Sequence, residues 1–403
     1  MLRVFTFVFF FAISFVIGSP NPDIVKRFTK PTNCTACHEE QVKDWVTSLH
    51  AKSHEEKNEL YHATVKFVSK ELRQPYEATL LNCGKCHNPR LDVKSVDENY
   101  MLSKAFDVNT EEKQVVDEAI SAIHIKNGVS CYVCHNIDSI KPKKSNNDVG
   151  YELINWIKGP VIVGPFEDES DRAKYHESKK RDFFVSGDEL CLICHQGNGS
   201  SNALSTYNTG AEQKSSGDAR RCVDCHMGDP KEGIIAPEIH SATATKRIMR
   251  SHIFAGVRND TDLLKDVIFV DLVRNYQSID LLIKNSVSHK IPSGFSGRSL
   301  MVKLTYKKGD EVLKSENIEL KATYIDDKNL ETLSYVATNL VSDTRLEPSS
   351  TKTITLYPPE GANTLDVELI YYILSPSLQY KLRIDSEHFT KPYEIVKKSF
   401  QLF

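Results

Sequence analysis

Cys34-Thr-Ala-Cys37-His38 is the first of five segments that share one pattern along the chain. The other four are Cys83-Gly-Lys-Cys86-His87, Cys131-Tyr-Val-Cys134-His135, Cys191-Leu-Ile-Cys194-His195 and Cys222-Val-Asp-Cys225-His226. Together they use all 10 cysteines. Two sulfurs three residues apart can each form a thioether with a haem vinyl group, and the histidine that follows can ligate the iron. The pattern therefore predicts five covalently attached haem c groups, whose proximal ligands are the five motif histidines.

Two other uses of paired cysteines fit this sequence less well. An exported chain could form disulfides, and C-x-x-C pairs can be half-sites for structural zinc. Neither use requires a histidine directly after the second cysteine. With only 14 histidines in 403 residues, five such positions would rarely coincide. Haem attachment is the interpretation that accounts for all five.

The chain begins with the features of a secretory signal peptide, at residues 1–18. A short basic start, Met1-Leu-Arg3, precedes an apolar run from Val4 to Gly18, and small residues stand just before Ser19. The run is shorter than a membrane-spanning helix needs, so an uncleaved anchor is the lesser alternative. We expect a periplasmic or extracellular protein whose membrane contact is at most peripheral. Export agrees with haem c, which is attached outside the cytosol.

The charge balance is close to neutral. The chain has 51 Lys and Arg against 54 Asp and Glu, and its formal net charge is -3. This balance argues against a nucleic-acid partner and against a polybasic membrane partner.

The chain divides into two parts of different character. All five motifs lie in residues 19–260, which we predict to be a pentahaem segment of helices and irregular structure. Residues 261–403 contain alternating apolar and β-branched runs with turn residues between them, which is typical of a β-sandwich. The predicted strands are Ile279 to Ile283, Leu300 to Tyr306, Ile318 to Tyr324, Thr353 to Tyr357 and Leu365 to Ile373. The expected fold class is therefore α+β.

Helix and loop signals within the pentahaem segment are local. Val42, Trp45 and Leu49 have helical spacing, with acidic residues in the first turn. A second helix is predicted from Glu111 to Lys126, with Gly128 placed to end it. Two polar stretches are predicted to be loops, from Ser139 to Gly150 and from Gln196 to Ala219.

Histidines outside the motifs could ligate the far side of each iron. A filled position makes an electron carrier, whereas an open position can bind a substrate. His50 and His124 continue apolar helix stripes, so we expect both to face porphyrin as distal ligands. His388 lies in a polar stretch, as a surface histidine does, and methionine ligation is a minor option. The nine candidates are His50, His54, His62, His124, His176, His240, His252, His289 and His388.

Several flanking patterns resemble those of multihaem c-type cytochromes related to the tetrahaem electron acceptor of hydroxylamine oxidoreductase. They are Trp45-x-x-Ser48-x-His50, His124-x-x-x-Gly128-Val129-x-Cys131, Ser186-x-x-x-Leu190-Cys191, Met249-Arg250-Ser251-His252-x-Phe254-x-Gly256, and Asn285-x-x-x-His289-Lys-Ile-Pro292-Ser-Gly294 with Arg298 beyond it. The last pattern is similar to a segment that often carries a distal ligand in such proteins. A fifth motif and a long β domain depart from the tetrahaem pattern.

Residues and resemblance together favour five distal ligands: His50, His124, His176, His252 and His289. The choice of His176 rests mainly on the resemblance, and His54 and His62 are the runners-up. If His289 is a ligand, a metal bond ties the β domain to the haem segment.

The leading functional prediction is a non-catalytic electron carrier. Bis-histidine haems would relay electrons between redox protein partners, from a quinol-side donor to a terminal reductase or other acceptor. The alternative is an oxidoreductase that acts on a small nitrogen or sulfur compound at one open haem. Pentahaem nitrite reductases carry lysine in one motif, and C-x-x-C-K does not occur here. A third hypothesis is a homo-oligomer or filament, in which His54 or His62 ligates a haem of the next copy.

Overall fold

The structure is a computed structural model. It describes residues 25–145, 147–167, 175–197, 204, 207–237, 245–258 and 262–402. The predicted signal peptide, residues 1–18, and His240 lie outside the described residues. Within the described helices, none is long and apolar enough to cross a membrane.

Short helices dominate the first part of the chain. The described α-helices are α1 (Glu39–Thr47), α2 (Glu59–Glu71), α3 (Tyr76–His87), α4 (Glu98–Ala105), α5 (Glu111–Ser121), α6 (Ile123–Lys126), α7 (Cys131–Cys134), α8 (Phe183–Ser186), α9 (Asp188–Leu192), α10 (Thr209–Ser216), α11 (Cys222–His226), α12 (Asp262–Lys265), α13 (Pro376–Leu382) and α14 (Glu387–Thr390). Single 3₁₀ turns occur at Lys26–Phe28, Pro31–Cys34, Glu55–Lys57 and Gly150–Leu153.

Two helix predictions are confirmed with changed boundaries. The first helix ends at Thr47, so His50 lies in the turn beyond it. The helix predicted to end at Lys126 is broken at Ala122, whose ψ of 140° is extended. Beyond it, Gly128 has a φ of 62°. A Cβ there would stand 2.6 Å from the His50 carbonyl oxygen, so only glycine fits.

Strands occur in both parts of the chain, but the long ones follow Ile268. The described strands are β1 (Ile137–Ile140), β2 (Ile154–Trp156), β3 (Val161–Gly164), β4 (Glu177–Lys180), β5 (Gln196–Gly197), β6 (Tyr207–Asn208), β7 (Lys231–Gly233), β8 (Arg247–Met249), β9 (Ile268–Arg274), β10 (Ile279–Asn285), β11 (Ser299–Lys308), β12 (Glu311–Leu320), β13 (Ala322–Ile325), β14 (Glu331–Thr332), β15 (Asn339–Asp343), β16 (Thr351–Leu356), β17 (Thr364–Tyr372) and β18 (Tyr393–Gln401). The α+β class is confirmed.

The long strands form antiparallel sheets around one hydrophobic core. One sheet has the order β12-β11-β17-β18, another β16-β10-β9 and a third β14-β13-β15. Strand β17 alternates strictly between buried and half-buried residues, as a strand with one face in a core does. Residues of the first two sheets share the largest core cluster, in which Leu281, Leu304 and Leu369 are fully buried.

Helix α2 joins the two parts of the chain. Leu60, Ala63 and Phe67 lie on one helical stripe and pack against the core of the β-rich part. On its other side the helix buries Tyr61 and Val65 against Leu80 of α3. The β-rich part therefore packs directly on α2, which in turn packs on α3, the helix that carries the second motif.

One expectation about irregular structure is wrong. The stretch from Gln196 to Ala219 was expected to be a loop, but it contains α10, in which Glu212 is buried because it binds groups of the β-rich part. The haem segment was expected to be mainly helical and irregular; helices dominate it, and it also forms four two-stranded pairs, β1-β2, β3-β4, β5-β6 and β7-β8.

Candidate haem sites

Each motif folds as a tight helical turn. The backbone N–H of His38 donates to the carbonyl of Cys34 at 2.9 Å, and His135 and His195 make the same bond to Cys131 and Cys191 at 2.9 and 3.0 Å. The second and fifth motifs lie in α3 and α11. A helical turn puts residues three and four apart on one face, so both thiols and the imidazole face the same side.

A cavity of about 2130 Å³ lies between these turns. A pocket for one small molecule has a volume of about 300–1,000 Å³, so this cavity has room for several large groups. It is lined by all ten cysteines and by His38, His87, His135, His195 and His226. All ten cysteines are free, which does not support the disulfide alternative. An apolar cavity that gathers every thiol is what covalently attached haem requires.

Four motif histidines each face a second imidazole, and the distance is nearly the same in all four pairs. The ring centroids are 6.3 Å apart for His38 and His176, and 6.2 Å apart for His195 and His50. They are 6.2 Å apart for His135 and His252, and 6.4 Å apart for His226 and His289. Two metal–nitrogen bonds of about 2 Å each, with the ring radii added, give a centroid separation of about 6 Å. Each pair could therefore hold one iron.

Three of the imidazoles in these pairs are kept neutral, and two motif histidines are oriented by a backbone carbonyl. Burial, together with neighbouring histidines, lowers the pKa of His50 to about 3 and those of His135 and His195 to about 4. A neutral imidazole has a free lone pair for a metal. Nδ1 of His135 lies 2.7 Å from the Val163 carbonyl oxygen, and Nδ1 of His226 lies 2.7 Å from that of Ala255. These acceptors leave Nε2 as the ligand atom.

The second motif has different surroundings. The ring of Tyr61 stacks on His87 with a centroid distance of 4.2 Å and an interplanar angle of 8°. Nδ1 of His87 lies 3.0 Å from Oγ of Ser53, which also donates to the His87 carbonyl oxygen at 3.0 Å. In the part of the chain that the structure describes, no imidazole faces His87 at the distance seen for the other four motif histidines.

His124, which was expected to be the fifth distal ligand, does not line the cavity. Its Nε2 atom is buried without a hydrogen-bond partner. The helical stripe that was expected to carry it inward stops at Ala122, so His124 starts from a new helix direction. The structure thus brings four of the five predicted distal histidines opposite a motif histidine.

The runners-up also lie outside the cavity lining. His54 is 3 % exposed, and its Nδ1 accepts from the backbone N–H of Glu56. His62 is half-exposed and contacts Glu55 and Tyr76. His388 is exposed, as expected.

Thiols of different motifs contact each other. Cys34 of the first motif contacts Cys131 of the third. Cys86 of the second contacts Cys194 of the fourth, and Cys191 of the fourth contacts Cys222 of the fifth. The third and fourth motifs are neighbours as well. Cys134 of the third motif lies close enough to Cys191 of the fourth for the two thiols to interact electrostatically, and burial raises the pKa of Cys134 to about 12.

Phe254 is a site residue whose role the sequence patterns did not reveal. Its ring meets His50 edge-on with a centroid distance of 4.4 Å and His252 with a distance of 6.0 Å. Its φ is 47°, a region that bulky side chains rarely adopt. It stands within the pattern that begins at Met249, but nothing in that pattern indicates contact with two distal ligands.

Comparison with known proteins agrees with this geometry. Residues 33–136 match the family model described as cytochrome c554 and c-prime. A penta-haem cytochrome c552 from Thermochromatium tepidum has a similar crystal structure, with a TM-score of 0.69 and 19 % identity over 91 % of this chain and 97 % of that one. At this identity the likeness establishes the fold. No curated protein matches the chain.

The family match and the fold together support a multihaem c-type cytochrome with covalently bound haem c. The family model reaches only from just before the first motif to just after the third. The fourth and fifth motifs lie beyond the matched residues, and so does the whole β-rich part.

Proposed function

We propose that the chain is an exported pentahaem c-type cytochrome that relays electrons between redox partners. One observation carries this proposal, namely the four imidazole pairs whose centroids are 6.2–6.4 Å apart across one cavity. A haem held between two imidazoles has no free position for a substrate. Bound haem c would supply reversible one-electron chemistry at each position.

The residues of the chain fix where each haem would be held. The cysteines would anchor each haem, and the paired imidazoles would ligate the iron at four of the five motifs. The ligands come from distant parts of the chain, because His50 precedes its partner His195 by 145 residues and His289 follows its partner His226 by 63. Binding the haems therefore couples the two parts of the chain.

Thiol contacts support an order for the relay. The first motif neighbours the third, the third neighbours the fourth, and the fourth neighbours the fifth. The second motif joins this row through Cys86 and Cys194. Electrons would then enter or leave at the first and fifth motifs, and the second would be a branch beside the fourth.

Partner proteins and export belong to the proposal. We expect a quinol-side donor and a terminal reductase or other acceptor to dock at the ends of the row. Export would follow from the signal peptide at residues 1–18. In an assembly of several copies, the half-exposed His62 would be a more accessible ligand donor than the buried His54.

Low-temperature electron paramagnetic resonance of the oxidised protein tests the proposal, alongside intact-mass analysis. We expect five haem additions and four low-spin irons with two histidine ligands each. A preparation that carries fewer than five haems, or in which most irons are high-spin, would overturn it.

A second function is favoured by the surroundings of His87. With Tyr61 stacked on its ring and no described imidazole opposite, the second position could hold a haem that is open to a small nitrogen or sulfur compound. Carbon monoxide added to the reduced protein distinguishes the two functions. Binding at one haem would support an oxidoreductase at the second motif, whereas five unresponsive haems would exclude it.

A further inference from the structure

Arg298 is a buried cation that the electron relay does not account for. It precedes β11 and lines the central cavity. One guanidinium nitrogen, Nη1, donates to the Ser293 carbonyl oxygen at 2.7 Å. The Nε atom is buried and has no acceptor.

No carboxylate balances this charge. In the part of the chain that the structure describes, Arg298 forms no ion pair with Asp or Glu. Its polar neighbours are Tyr371, which accepts a hydrogen bond from the guanidinium, and Tyr207 and Tyr335. Burial raises the pKa of Tyr207 and that of Tyr335, so both phenols stay neutral. An uncompensated buried charge is strongly destabilising, because the protein interior solvates it less well than water does. A negatively charged group in the cavity would remove that penalty.

The surroundings locate this group between two motifs. The hydroxyls of Tyr207 and Tyr335 are 3.3 Å apart, and both phenols lie near the thiols of Cys83 and Cys86. The charge of Arg298 also acts on His195 of the fourth motif. The cluster therefore lies where the second and fourth motifs meet.

We propose that Arg298, together with the linked hydroxyls of Tyr207 and Tyr335, binds an oxyanion between the second and fourth motifs. A guanidinium presents parallel N–H donors that match two oxygens of such a group, and Tyr207, which accepts from Tyr335, adds a phenol O–H. Two sources supply this chemistry, a haem propionate and a free anion such as nitrite or sulfite. The inference rests on the proposed function, because both sources involve haems in the cavity.

The test compares holoprotein with Arg298→Gln. Nitrite and sulfite are titrated by calorimetry, and the midpoint potential of each haem is measured in the same preparations. A free-anion site gives saturable binding that Arg298→Gln weakens about tenfold or more. A propionate partner gives no binding of added anion but lowers one midpoint potential in the variant, because a positive charge beside that haem is lost.

Two further variants keep the result interpretable. Tyr335→Phe removes one hydroxyl at constant ring size and should reproduce either effect more weakly. Arg274→Gln, at an exposed guanidinium of β9 that donates to the Gln401 carbonyl oxygen, should leave anion binding and all five potentials near wild type. The inference is overturned if Arg298→Gln, with all five haems attached, changes neither anion binding nor any potential. Missing haems in the wild type would instead count against the proposed function.

Discussion

The imidazole ring of His289 lies 6.4 Å from that of His226, with an interplanar angle of 17°. His226 belongs to the fifth motif, whereas His289 follows β10 in the β-rich part. The loop that carries His289 is fixed from both sides. Asn285 donates to the His289 carbonyl oxygen at 2.9 Å, and Glu212 of α10 accepts from the Lys290 N–H at 3.0 Å. The fifth position is therefore built from both parts of the chain.

Replacing His289 by alanine should open the fifth position. The haem at His226 then has one protein ligand, so one additional high-spin iron should appear in the paramagnetic resonance spectrum. His388→Ala, at an exposed histidine of the same part of the chain, should leave the spectrum unchanged. An unaltered count of low-spin irons in His289→Ala would contradict the pairing.

Glu212→Gln should destabilise the contact between the two parts. The carboxylate of Glu212 is buried 3.5 Å from Arg345, and it accepts from the Lys290 backbone. Loss of its charge should lower the free energy of unfolding by about 1–3 kcal/mol. The loss should not be larger, because Arg345 keeps Asp343 as an ion-pair partner. Chemical denaturation of the holoprotein measures this difference. The exposed Glu111→Gln on α5 serves as the control. An equal loss of stability in both variants would show that Glu212 does not stabilise the contact between the two parts.

Acid should weaken the same region through Asp343. Burial opposes ionisation, but Arg345 and Lys290 outweigh it and lower the pKa of Asp343 to about 2 from 3.8. Because the pKa of this carboxyl is lower in the folded than in the unfolded protein, its ionised form stabilises the fold at pH values above the unfolded-state pKa. That contribution is lost as the pH falls from about 4 to about 2. The free energy of unfolding should fall by about 2 kcal/mol over this range. Asp343→Asn should therefore flatten the stability curve between pH 4 and pH 2, unlike the exposed Asp327→Asn.

The sequence predicted the parts of this molecule that rest on short-range patterns. The motifs follow from spacing alone, and β10, β11, β16 and β17 follow from alternation of apolar residues. Strand β18 was missed because Lys397 and Lys398 interrupt its pattern, and pairing with β17 supplies its register. The sequence Ile268–Arg274 alternates as clearly as the predicted strands, so β9 could have been found.

Ligand pairing could not be predicted in the same way. A surplus of histidines says how many ligands are available, but a pair depends on distances between residues far apart in the chain. His124 was favoured by its place on an apolar stripe and His176 mainly by the resemblance, yet only His176 faces a motif histidine. The extended backbone at Ala122 turns His124 away, and no residue type near it signals that break.

Ser53→Ala should raise the midpoint potential of the haem at His87. Ser53 Oγ accepts from Nδ1 of His87, which makes that imidazole a stronger electron donor and favours oxidised iron. Without the acceptor, the oxidised state is less stabilised. Spectroelectrochemical titration should show one potential moving upward, whereas Ser121→Ala on the exposed face of α5 should change none. A downward shift would mean that Ser53 does not accept this hydrogen bond.

Phe254→Ala should disturb two haems at once. The Phe254 ring touches the edges of His50 and His252, which face His195 and His135 in the fourth and third positions. Removing it frees both imidazoles to rotate, so two low-spin signals should broaden or shift together. Phe254→Tyr keeps the ring and should preserve both signals, while Phe28→Ala, beside the first position, should alter a different signal.

Because the φ of Phe254 is 47°, Phe254→Gly should also relieve backbone strain. Comparing Phe254→Gly with Phe254→Ala therefore separates the effect of backbone strain from that of the lost ring packing. A change in only one of the two signals would show that Phe254 orients a single histidine.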